Sequence, residues 1–134
     1  MGLILDTSIL IEAERDGQSV EAVLARFTGG GLIAISTVTL MELSHGIART
    51  KHERMRIERR RFLDAVRATI AVIPLDELLA IRAGLLNGQL AALGFTIGFA
   101  DALISATALS RGDSVATRNV RHFDVVPGLD VVGL

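Results

Sequence analysis

Short apolar runs recur along this chain with amphipathic stretches between them, and that alternation most constrains what it can fold into. The runs cover residues 2–5, 32–35, Ala71–Ile73 and Ser114–Thr117, with a fifth candidate at 130–132. Residues 8–14, 19–27, 38–50, a charged segment ending near 67, 76–93 and 99–110 carry helical spacing. Asp76 is a good N-cap for the fifth of these helices, and Gly112 is a natural stop for the last. Strands this short and apolar are buried on both faces. The pattern therefore predicts a three-layer α/β/α sandwich around a mostly parallel sheet of four to five strands. At 134 residues, half of them hydrophobic, the chain has material for one core, so a single domain over 1–134 is expected. No linker, repeat or low-complexity tract divides it.

Asp101 breaks this pattern. Residues 83–100 hold no charge, and the eight residues after Asp101 hold none either. A carboxylate on so apolar a helix faces the interior or a cleft, and an unpaired charge there is costly. Asp101 should therefore have a compensating partner: a side chain, a backbone N–H or a metal ion. The uncharged span is long enough to be tested as a membrane helix. Four glycines, Asn87, Gln89 and a loop-like 94–98 argue against that reading, so no membrane role is expected. The chain has no cysteine, which excludes disulfides, thiolate metal sites and cysteine catalysis. Its N-terminus lacks the basic and long apolar regions of an export signal, and Asp6 stands where a myristoylation signal needs Ser or Thr. The cytoplasm is the expected location. A net charge of −1 gives no global field that would advertise nucleic acid.

In open α/β sheets, sites form beyond the carboxyl ends of the strands. Asp6 ends the first strand, Glu42 lies one turn into the helix after the second, and Asn119 follows the fourth. Asp101 starts a helix that can return it to the same edge. Close carboxylates repel unless a cation neutralises them. Hard oxygen ligands, with no Cys and no His cluster, suit Mg²⁺ or Mn²⁺ rather than zinc. Each residue also has a plain structural reading. Asp6 and Asp101 can serve as N-caps, Glu42 can pair with Arg49 or lie in solvent, and Asn119 can be a turn residue. All four plain readings would have to hold at once at one rim, which favours the metal. His45, His52 and His122 share no ligand-like spacing and read as structural or solvent-facing.

Four strings carry a resemblance: Ile4-Leu5-Asp6-Thr7-Ser8; residues 36–43 with Gly46; Asp101 through Ala108; and residues 116–123. Together, in order and over nearly the whole chain, they resemble the signature blocks of PIN-domain ribonucleases, most closely the VapC-like toxins of type II toxin–antitoxin pairs. The resemblance implies a Mg²⁺- or Mn²⁺-dependent endoribonuclease with a PIN-like α/β/α fold. Its catalytic set would be Asp6, Glu42, Asp101 and Asn119. Asp6, Asp101 and Glu42 would hold the metal, and the Ser8 and Thr117 hydroxyls would orient ligands or water. Some relatives carry an acid where this chain has His122, and Asp124 is off register, which bears on a second metal site. A cation offsets the charge of the phosphodiester and activates water; the resemblance implies products with 5′-phosphate and 3′-hydroxyl ends, with water rather than the ribose 2′-OH as the attacker. The resemblance also implies a cognate antitoxin over the site, a homodimer, a heterotetramer or larger assembly with the antitoxin, and DNA contact only through the antitoxin. Transfer RNA and ribosomal RNA are the expected substrates.

Half of all the Lys and Arg lies between Arg49 and Arg61. This stretch reads either as a solvated helix laced by local ion pairs or as a phosphate-tracking face. Arg49, Lys51, Arg54 and, elsewhere, Arg118 are the candidate RNA contacts. With five Phe and no Tyr or Trp, extensive base stacking is not expected. Two rival functions fit parts of the pattern. A phospho-accepting receiver domain needs a late lysine, and the only lysine is Lys51. A catalytically silent RNA- or partner-binding module on the same fold is the alternative, and the acidic triad argues against it.

Overall fold

The computed structural model describes residues 2–134. Five strands form one sheet: β1 (Leu3–Leu5), β2 (Ile33–Ser36), β3 (Ala71–Ile73), β4 (Ser114–Thr117) and β5 (Val131–Gly133). Their order is β3-β2-β1-β4-β5, and every pairing is parallel. The helices are α1 (Thr7–Arg15), α2 (Val20–Leu24), α3 (Thr37–Arg49), α4 (Glu53–Thr69), α5 (Glu77–Ala92), α6 (Phe99–Arg111) and α7 (Val120–Phe123).

The strand alternation builds two cores. Ile4, Ala34 and Val115 stand in register and pack with Ile104, Ala108 and Phe123 on one face. Leu5, Ile35 and Ala116 pack on the other with Ile9, Leu10, Val23, Leu43 and Val66. A side-chain period of two assigns each strand residue to its face. Each fully buried Leu or Ile contributes about 1.5–3 kcal/mol. This is the expected three-layer arrangement.

Element ends follow local chemistry. The Asp76 carboxylate accepts the Leu79 N–H at 2.8 Å and starts α5. Gly112 closes α6 at φ 68°, a left-handed conformation that favours glycine. The one-turn helix α7 was not foreseen, because four residues carry too little periodicity to announce it. No helix among the described residues is long and apolar enough to cross a membrane. The apolar span instead bends at 94–98 into two helices that pack together.

The chain starts at the middle strand β1, builds outward through β2 and β3, then returns to place β4 on the other side of β1. Reversal of the strand order opens a crevice at the carboxyl ends of β1 and β4. Asp6 and residues 117–119 sit there.

Candidate active site

Asp6 directly follows β1 and is 5 % exposed. It occupies the N-cap position of α1, yet its side chain caps nothing. Its Oδ2 accepts instead from the Ser8 hydroxyl at 2.6 Å and the Thr117 hydroxyl at 2.8 Å. Thr117 Oγ1 in turn accepts the Asn119 N–H at 2.9 Å, and Ser8 Oγ accepts the Arg118 N–H at 3.1 Å. The two hydroxyls thus tie the end of β1 to the turn after β4 and fix one edge of the carboxylate.

Glu42 is held by the same device. The Thr7 hydroxyl donates to its Oε1 at 2.7 Å. With that proton committed, Thr7 Oγ1 accepts from the buried Thr39 hydroxyl at 2.9 Å. Thr39 lies three residues before Glu42 on α3, so helical spacing puts both on one face. Both threonines stand in the motif strings, but the sequence alone gives neither of them a role at the site. The threonine–glutamate spacing on α3 was the available signal for Thr39.

Asp101 sits in the first turn of α6, whose N-cap is Gly98. Its Oδ2 lies 3.1 Å from His122 Nδ1. Burial raises the Asp101 pKa above the ordinary aspartate range, and the Asp6 carboxylate pushes it further; His122 opposes the shift, and Glu42 adds to it. Asp101 therefore feels both other carboxylates. His122 corrects the sequence reading: it is exposed but not merely solvent-facing, because it contacts Asp101. The signal for it was weak, since no second histidine stands near it in sequence. The Asn119 backbone joins the Asp6 network, while its side chain caps nothing on α7.

Each of Asp6, Glu42 and Asp101 has one oxygen engaged by a protein group, and the other accepts no hydrogen bond among the described residues. Orienting partners behind hard, open oxygens form a donor set that fits Mg²⁺ or Mn²⁺. No three His, Asp or Glu side chains among the described residues stand close enough to enclose an ion.

The candidate RNA contacts divide. Arg54 pairs with Glu58 at 3.5 Å and Arg118 with Glu12 at 2.7 Å. Arg49 and Lys51 are exposed and form no ion pair among the described residues. Arg56 is paired to Glu53 at 2.6 Å, so local ion pairs consume part of the basic stretch, as the plainer reading expected.

A five-stranded parallel sheet of this order, with acids gathered at its reversal point, defines a class. Residues 3–129 match the PIN domain, and the chain belongs to that family. Within it, the chain belongs with the VapC ribonucleases. It is 36% identical over 133 residues to "Ribonuclease VapC1" of Rickettsia felis, covering 98% of this chain and 96% of that one. It is 32% identical over 127 residues to "tRNA(fMet)-specific endonuclease VapC" of Shigella flexneri, covering 94% and 92%. A DNA-bound VapBC from Salmonella typhimurium superposes with a TM-score of 0.82 at 26% identity, covering 98% of this chain and 96% of that one. VapBC complexes form a family of toxin–antitoxin systems.

Proposed function

We propose that this chain is the toxin of a toxin–antitoxin pair and hydrolyses phosphodiester bonds in RNA with Mg²⁺ or Mn²⁺ held by Asp6, Glu42 and Asp101. The observation that carries the reading is the shared pattern at the three carboxylates: one oxygen anchored by the protein, the other open. Stability alone does not call for acids at one sheet edge that no arginine or lysine neutralises among the described residues. When bound, a divalent ion offsets phosphate charge and activates water for attack on phosphorus. Asp6 and Asp101 supply its principal ligands, and Glu42 completes the shell or acts through water. Ser8 and Thr117 hold Asp6, and Thr7 holds Glu42. Asn119, exposed on the turn after β4, would meet a phosphate oxygen or water.

Transfer RNA is the favoured substrate, by likeness to the relative named for it, with ribosomal RNA as the other choice. Arg49 and Lys51 supply free positive charge for the RNA backbone. A cognate antitoxin covers the site, and DNA is reached through it, as the DNA-bound VapBC relative suggests. Leu78, Ile81 and Leu85 form an exposed apolar row on α5 that suits a homodimer. The expected setting is the cytoplasm, with residues 1–134 acting as one domain.

The test is cleavage of total bacterial RNA by the antitoxin-free protein, with Mg²⁺ or Mn²⁺ and with EDTA, beside Asp6→Asn and Asp101→Asn. Discrete, metal-dependent cleavage lost in both variants supports the reading. Cleavage that survives EDTA or both substitutions refutes it. Intact metal binding with no cleavage of any RNA returns the silent binding module.

A further inference from the structure

We infer that His122 is itself a metal ligand, paired with Asp101, and that it tilts the site towards Mn²⁺ over Mg²⁺. The inference rests on the metal reading above.

The geometry points to it first. His122 Nδ1 and Asp101 Oδ2 are 3.1 Å apart. Ligand atoms about 2.1 Å from an octahedral ion, at right angles, stand about 3.0 Å apart. The contact is now an Nδ1–H···Oδ2 hydrogen bond, and its atoms would need little change in separation to share an ion once the Nδ1 proton is released or carried on Nε2 instead.

The position of the imidazole points the same way. The hydroxyls that anchor Asp6 and Glu42 are buried or partly buried beneath them: Thr7 and Thr117 are buried, and Ser8 is partly so. His122 is different. Its side chain is 57 % exposed, against 21 % for Asp101. Both residues line one cavity of about 270 Å³, walled by the 94–98 loop and Arg121. An exposed imidazole that shares a cavity with the carboxylate it contacts can meet an arriving ion, whereas a buried hydroxyl cannot.

The chemistry sets the consequence. Neutral imidazole offers a lone pair, and imidazole ligation suits transition metals, whereas Mg²⁺ keeps to oxygen. α7 is what delivers it. The Asn119 backbone is tied to Thr117, and one turn later the helix brings His122 to Asp101.

The experiment is Mn²⁺ binding to the tag-free, antitoxin-free protein, read by titration calorimetry and by electron spin-echo modulation from ¹⁴N, with Mg²⁺ as competitor. The wild type should show modulation from one coordinated imidazole. That signal should vanish in His122→Gln and His122→Asp. His122→Gln should weaken Mn²⁺ binding about tenfold and leave Mg²⁺ binding nearly unchanged. His122→Asp should restore Mn²⁺ affinity without the nitrogen signal and narrow the Mn²⁺/Mg²⁺ preference. Mn²⁺ binding that needs Asp6 and Asp101 but shows no ¹⁴N coupling would overturn the role of His122 and leave the nuclease reading standing. Coupling that persists in His122→Gln would also overturn it, by assigning another nitrogen. Absent Mn²⁺ binding, or binding indifferent to Asp101→Asn, would sink both.

Discussion

Two regions of this molecule draw acidic side chains out of full solvent, and they treat the charge in opposite ways. Along α1, each acid meets an arginine: Glu12 with Arg118 at 2.7 Å and Glu14 with Arg59 at 3.4 Å. Arg59 also donates to the Gly46 carbonyl at 2.9 Å and to the Thr50 hydroxyl, tying α4 to α3. Burial raises the Glu14 pKa, and Arg59 works against that rise. At the carboxyl ends of β1 and β4 no arginine or lysine pairs with Asp6, Glu42 or Asp101 among the described residues. Hydroxyls and one imidazole hold them, and Asp6 and Glu42 both raise the cost of charging Asp101. An acid beside an arginine serves architecture. Acids left without a basic partner and with one oxygen open are what the proposed metal would neutralise.

Substitutions can break that contrast. The largest effect is expected from Asp6→Asn, which should lower metal-dependent RNA cleavage by more than about 100-fold while the fold persists; circular dichroism and a cleavage time course check both parts. Thr117→Val removes the buried hydroxyl on Asp6 Oδ2. It should weaken Mn²⁺ binding by about 10–100-fold, measured by calorimetry. On the architectural side, Arg59→Ala strips Glu14 of its partner and opens two further bonds. A loss of about 2 kcal/mol in unfolding free energy is expected, read from denaturant midpoints.

Asp101→Asn sharpens the comparison, because it should do the reverse of Arg59→Ala. The raised folded-state pKa means that the metal-free fold holds the Asp101 proton more tightly than the unfolded chain does. Metal-free stability therefore falls as pH rises from the ordinary value near 3.8 through the raised one. The asparagine should remove that loss and stabilise the metal-free protein by about 1 kcal/mol at pH 7, with little gain at pH 3. Equal gains at both pH values would show that charge is not the cause. The smallest effect is expected from Arg49→Gln with Lys51→Gln, which should flatten the salt dependence of RNA binding by about one to two in log–log slope.

Much of this was legible because it is local. The strand at Ala71–Ile73 and the cap at Asp76 matched expectation, since a strand between breakers and an N-cap depend on a few neighbouring residues. The convergence of Asp6 and Asp101 followed from strand order and helix direction. The contact of His122 with Asp101 did not: it joins residues 21 apart through the packing of α7, a helix too short to read. The pairing of Arg118 with Glu12 was equally hidden, because a charge run says nothing about which acid a distant turn will meet.

By itself the sequence determined the alternation of strands and helices, the parallel sheet they require, and the presence of three acids without enough nearby cations. Period and composition act over a few residues, so they survive in the linear text. Only the tertiary structure decided which oxygen of each acid is engaged and by which group, which arginines are already spent, and that an imidazole stands against Asp101. Those outcomes depend on ångström distances between residues up to 111 positions apart, fixed when packing closes the core.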